Sequence, residues 1–145
     1  MNWHRLLIEE LERIAPEKLY ALDDAAFEVA STLLPPGTVH RYAPDATPET
    51  PANLALSIDA LDGLDSRQAR ALLAHVRVFM APSILSAVDC HCALDRLAFL
   101  ALGFDALGVD ESENVALYSY DLNTYKRVPD WLNARYWAHP ERWEP

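Results

Sequence analysis

Six aspartates, Asp23, Asp24, Asp45, Asp59, Asp62 and Asp89, stand out because each falls at or just after the end of a short run that reads as a strand. Carboxylates gathered on one rim would attract a cation or a cationic ligand, and their mutual repulsion would raise some of their pKa values. Aspartate is equally favoured at helix caps and turns, where its oxygens accept backbone N–H groups. The pattern leaves both roles open. Asp89-Cys90-His91-Cys92 collects two thiols and an imidazole, but adjacent residues do not all face one ion and the chain has no other cysteine. No metal site is expected there. Cys90 and Cys92 are expected as free thiols buried in a strand-to-helix turn, either of which a nearby helix N-terminus would make more reactive.

The segment from Tyr125 to the end concentrates three of the 4 Trp and four of the 12 basic residues, and is slightly basic where the rest of the chain is strongly acidic. Trp131, Arg135, Tyr136, Trp137, Arg142 and Trp143 are the residue types that dominate interaction hot spots. They serve either a recognition arm or a strap packed on its own domain. A third arrangement lays the arm of one chain on the acidic rim of another.

No Gly-x-Ser-x-Gly elbow, phosphate-binding Walker loop or His-Glu-x-x-His helix is present. The five histidines, His4, His40, His75, His91 and His139, have no partner recognisable by spacing and read as structural.

The elements that must position these residues follow from periodicity. Trp3, Leu7, Leu11 and Ile14 recur at helical spacing behind a capping Asn2, and Pro16 forbids continuation, so residues 3–15 are predicted helical. Residues 18–22 read as a buried strand that runs into Asp23-Asp24, the final acid, Asp24, capping a helix over 25–34. Pro35-Pro36-Gly37 ends that helix, and 38–42 alternate as a second, more exposed strand. Three prolines between 44 and 51 mark a connecting loop. A third strand at 54–58 runs through Asp59 to a turn at Asp62-Gly63. The helix over 66–80, capped by Asp65 or Ser66, precedes a strand at 83–88, a helix at 94–102 closed by Gly103, and a hairpin over 104–109 and 115–120. Strands alternating with helices in this way predict a doubly wound, mainly parallel α/β sheet with an antiparallel C-terminal hairpin. Residues 1–124 would form that domain and 125–145 the aromatic strap.

This order, with its local phrases, resembles a class I S-adenosylmethionine-dependent methyltransferase shortened in the middle. Leu54-Ala55-Leu56-Ser57-Ile58-Asp59, Ala71-Leu72-Leu73-Ala74-His75-Val76-Arg77 and Pro82-Ser83-Ile84-Leu85 are similar to that family's fourth strand, following helix and fifth strand. Leu102-Gly103-Phe104 and Leu117-Tyr118-Ser119-Tyr120 resemble its last helix end and closing hairpin. The resemblance implies a Rossmann-like fold and an S-adenosylmethionine site, with Asp45 or Asp59 near its ribose or adenine. The chain departs from the pattern where the family has a glycine-rich loop after its first strand: Asp23-Asp24-Ala25-Ala26 stands there, with no glycine before Gly37. A helix-strand unit is also expected to be missing near residues 44–51. A second likeness is to bacterial receiver domains, with paired acids at Asp23-Asp24 and Asp59 as the phosphorylated residue.

With a net charge of -10 and a pI near 4.8, the chain would be repelled by nucleic acid and by anionic membranes at long range. It carries no run long enough to span a bilayer and begins with a charged segment unlike a secretory signal. The expectation is a bacterial cytoplasmic protein: a non-catalytic methyltransferase-like binding module without a bound cofactor, working through a protein partner or self-association. The alternatives are a minimal active methyltransferase and a receiver-like switch.

Overall fold

The computed structural model describes residues 2–121, and the aromatic segment with Trp131, Arg135, Tyr136, Trp137, Arg142 and Trp143 lies outside them. The elements run α1 (Trp3–Ile14), β1 (Leu19–Ala21), α2 (Asp24–Leu33), β2 (Val39–Arg41), β3 (Leu54–Ser57), α3 (Ser66–Phe79), β4 (Ser83–Asp89), α4 (Arg96–Ala101), β5 (Asp105–Asp110) and β6 (Val115–Asp121). The strands form one six-stranded sheet in the order β2-β1-β3-β4-β6-β5. The first four are parallel, whereas β6 runs antiparallel between β4 and β5. Thus the hairpin is not simply appended at the edge: its second strand pairs with β4 and its first becomes the outer strand.

Side chains alternate across a strand, so runs that are apolar at every position must be covered on both faces. Such runs dominate here. Leu19, Ala21, Leu54, Leu56, Leu85 and Leu117 pack against Trp3, Leu7 and Leu11 of α1 and Ala26 and Ala30 of α2. Tyr20, Ala55, Ile84, Val88 and Tyr118 pack on the opposite face against Leu73 and Val76 of α3 and Phe99 of α4. The Phe99 and Tyr118 rings stack at 4.1 Å. On that second face, by the same alternation, Ser57 and Ser86 sit side by side in register; their buried hydroxyls have no hydrogen-bond partner among the described residues.

Local chemistry sets the element ends. Asn2 accepts the N–H groups of His4 and Arg5 to start α1. Asp65 and Gln68 form a reciprocal capping box at α3. The chain leaves α4 through Gly103 at φ 95°, a left-handed conformation that glycine adopts without steric cost. Two expected boundaries shift. The acid that caps α2 is Asp23 and not Asp24, which is already helical, and α4 is six residues long because Asp95 is its cap.

The connection from β2 to β3 contains no helix or strand and passes over β1, so the winding reverses between β1 and β3. In open α/β sheets ligands gather outside the strand carboxyl ends at such a reversal. The antiparallel β6 departs from the flavodoxin-like order of receiver domains, and the fold gives that likeness no support.

Candidate functional site

Asp23 occupies the reversal point. Its Oδ1 accepts the N–H of Ala26 at 2.8 Å, capping α2, while Oδ2 accepts the N–H groups of Ile58, Asp59 and Ala60 at 2.9, 2.9 and 3.1 Å. Three successive N–H groups form a nest suited to an anion, and here the anion is the protein's own carboxylate. The bond network ties the turn after β1 to the loop after β3. Asp23 is buried, and its role is to join two strand ends.

The chain after β3 then turns back on itself through Asp62 N–H to Asp59 C=O, 3.0 Å, with Gly63 at φ 76°. This turn faces the loop after β4. There Asp89 accepts the His91 N–H at 2.8 Å through its side chain and the Cys92 N–H at 2.9 Å through its carbonyl. Between the two loops lies a cavity of about 590 Å³ lined by Leu61, Asp62, Leu64, Asp65, Asp89, His91 and Cys92. A smaller hollow of about 110 Å³ on the α1 side is lined by Trp3, Asp59, Asp62 and Asp89. Asp62 and Asp89 border both.

The carboxylates feel one another. Partial burial, and then the charges of Asp59, Asp89 and Asp23, hold the Asp62 carboxyl above the usual aspartate range. Asp59, Asp62 and Asp89 are therefore the convergent part of the predicted rim. Asp24 and Asp45 do not join it. Asp24 pairs on the surface with Arg41 at 3.2 Å, and Asp45 borders a separate groove beside Leu72 and His75. Among the described residues, no group of three His, Cys, Asp or Glu side chains is placed to hold a metal ion.

The thiols differ from expectation. Both cysteines are free, but Cys90 is exposed and Cys92 half-buried. Burial is the main cause that pushes the Cys92 thiol pKa up, and the thiol donates to the Leu94 carbonyl at 3.1 Å, so Cys92 is not activated. Arg96 begins α4 only after Asp95, leaving the cysteines short of that helix end.

One part of the site escaped the sequence reading. The N–H of Trp3 donates to Asp110 Oδ2 at 3.1 Å, and its indole N–H donates to Glu113. Asp110 Oδ1 meanwhile accepts from the Ser112 hydroxyl at 2.6 Å, so one buried carboxylate fastens α1 to the β5–β6 turn. The Asp110-x-Ser112 spacing signals a local Asx turn, but nothing local signals a partner over a hundred residues away.

The six-stranded sheet with antiparallel β6 between β4 and β5 is a methyltransferase-like α/β fold, as two solved structures show. The methyltransferase domain of bacterial CtHen1-C superposes with a TM-score of 0.53 at 11% identity, covering 82% of this chain and 96% of that one. The N-methyltransferase NodS from Bradyrhizobium japonicum WM9, in complex with S-adenosyl-L-homocysteine, gives a TM-score of 0.55 at 12% identity and covers 80% and 85%. At such identities the likeness establishes the fold alone. Comparison with curated proteins gives no match. The whole chain, residues 1–145, matches a family of unknown function, DUF6231, and it belongs to that family.

Among the described residues, no helix is long and apolar enough to cross a membrane.

Proposed function

We propose that this chain is a non-catalytic, methyltransferase-like binding module whose ligand site is the acidic cavity between the loops after β3 and β4. The observation that carries this reading is the Asp23 clamp. The fold family implies S-adenosylmethionine, which needs close backbone approach at the turn after the first strand. Here that turn is Leu22-Asp23 with α2 starting at Asp24, and four N–H groups are already taken by the Asp23 carboxylate. A second carboxylate, the cofactor's own, would meet that of Asp23. These residues do not fit the cofactor.

The neighbouring cavity has the volume of a small-molecule site and a negative lining, which favours a compact cation such as a polyamine or a basic side chain of a protein partner. A second reading, a minimal active methyltransferase, draws on the size and position of the same cavity at the strand carboxyl ends. Calorimetric titration separates the two. The binding module gives saturable heat with spermidine that an Asp62→Asn, Asp89→Asn double variant loses, and no heat with S-adenosylmethionine or S-adenosylhomocysteine. Saturable binding of either sulfur compound would sink it in favour of the enzyme.

A further inference from the structure

The outer face of α3 carries an apolar stripe whose C-terminal end, at Val78 and Phe79, no described residue covers. Leu72, His75 and Phe79 follow one another at helical spacing, and the His75 and Phe79 rings lie 4.8 Å apart. Val78 is 68% and Phe79 51% exposed, high values for side chains of this size on a helix whose other face is core. Towards the N-terminal half of α3 the stripe deepens into a groove of about 470 Å³ lined by Pro44, Asp45, Ala71, Leu72 and His75. His75 Nε2 meets the Ala46 carbonyl at 2.7 Å and so holds the far wall in place.

The described chain ends beside this stripe. Asp121 pairs with Ser83, just past the α3 cap at Met80, and the Arg77 guanidinium of the last α3 turn lies 5.4 Å above the Tyr120 ring. The last described residue, Asp121, therefore lies near the C-terminal end of α3. Residues 122–145 reach up to about 80 Å when extended, several times the ~21 Å length of α3. They also hold rings of the kind that fill such a surface: Tyr125, Trp131, Tyr136, Trp137 and Trp143.

We infer that the C-terminal segment of the same chain docks along α3, its aromatic side chains covering Phe79, Val78 and the groove at Leu72 and His75. The route keeps it on the helical flank and away from the acidic cavity, so it acts as a strap and leaves the ligand site open. The groove beside α1 and α2, lined by Ile8, Val29 and Leu33, is smaller at about 290 Å³.

Trypsin reads this directly, because the segment offers Lys126, Arg127, Arg135 and Arg142. In the full-length protein, cleavage at Arg127 and Arg135 should be slow, and a Val78→Asp, Phe79→Asp pair should raise its rate about tenfold, since cutting follows the released population. Ile8→Asp on the other face should leave it unchanged. The milder Val78→Ser, Phe79→Ser pair should give an intermediate rate, with unchanged circular dichroism as the check on folding. Light scattering should report a monomer throughout. Wild-type cleavage as fast as that of a free peptide of residues 122–145 would overturn the inference, as would release by Ile8→Asp. Protection lost on dilution, with a doubled mass, would place the segment on a second copy and refute docking within one chain.

Discussion

The Asp23 carboxylate accepts the backbone N–H of Asp59 at 2.9 Å, joining two loops 36 positions apart at the point where the sheet reverses its winding. Its other oxygen caps α2, so one side chain holds a helix start and a neighbouring strand end together. Removing it as Asp23→Ala loses a cap worth about 1 kcal/mol and strips the Ile58, Asp59 and Ala60 N–H groups of their acceptor, at about 1–3 kcal/mol. Urea unfolding should show a total loss of about 3 kcal/mol. A loss below about 0.5 kcal/mol would mean that water replaces the clamp without cost.

Asp110 should shape the acid limb of the stability curve. The Ser112 hydroxyl, followed by the N–H groups of Trp3, Glu113 and Ser112, stabilises its charged form and holds its pKa below the ordinary 3.8. A depressed folded pKa means that its stabilisation is complete above about 3.8 and disappears as the pH falls through the lower folded value. Asp110→Asn should therefore weaken the protein at neutral pH and flatten the loss of stability on acidification. Unfolding curves collected from pH 7 down to about 2 test this; parallel wild-type and variant profiles would count against it.

Asp62 carries the opposite sign. Its folded pKa is raised, so the folded state holds its proton more tightly than the unfolded chain, and stability falls as the pH rises from 3.8 through the raised value. Asp62→Asn removes that penalty. Because the side chain is largely exposed and screened, the gain at pH 7 should stay within about 0.5 kcal/mol, alongside the loss of spermidine binding expected when Asp89 is changed with it. A variant less stable than wild type would assign Asp62 a structural bond instead.

Ser57 and Ser86 should be replaceable. Their hydroxyls are buried side by side without a partner among the described residues, so alanine at either position removes a desolvated polar group and leaves only a small void. Each change should be neutral or stabilising by up to about 1 kcal/mol, measured by thermal or urea unfolding. A loss above about 1 kcal/mol for either would reveal a hydrogen bond that the hydroxyl makes in solution.

Much of this architecture is local and so legible in the sequence. Trp3, Leu7 and Leu11 mark an amphipathic helix by their spacing, Pro16 stops it, and the fully apolar strands at Leu54 and Leu85 require cover on both faces. The hairpin after Gly103 was likewise readable.

Tertiary structure decided what each acid does. Asp23 and Asp24 are neighbours in sequence, yet one is buried under four N–H donors and the other faces solvent beside Arg41, because helix α2 begins between them and turns the second side chain outward. Asp59, Asp62 and Asp89 share a cavity only because β3 and β4 lie side by side, while Asp45 is carried away on the β2–β3 loop. Composition and periodicity mark the apolar faces and the approximate span of each element. Which carboxylates meet depends on strand order, a property of long-range packing that local spacing does not encode.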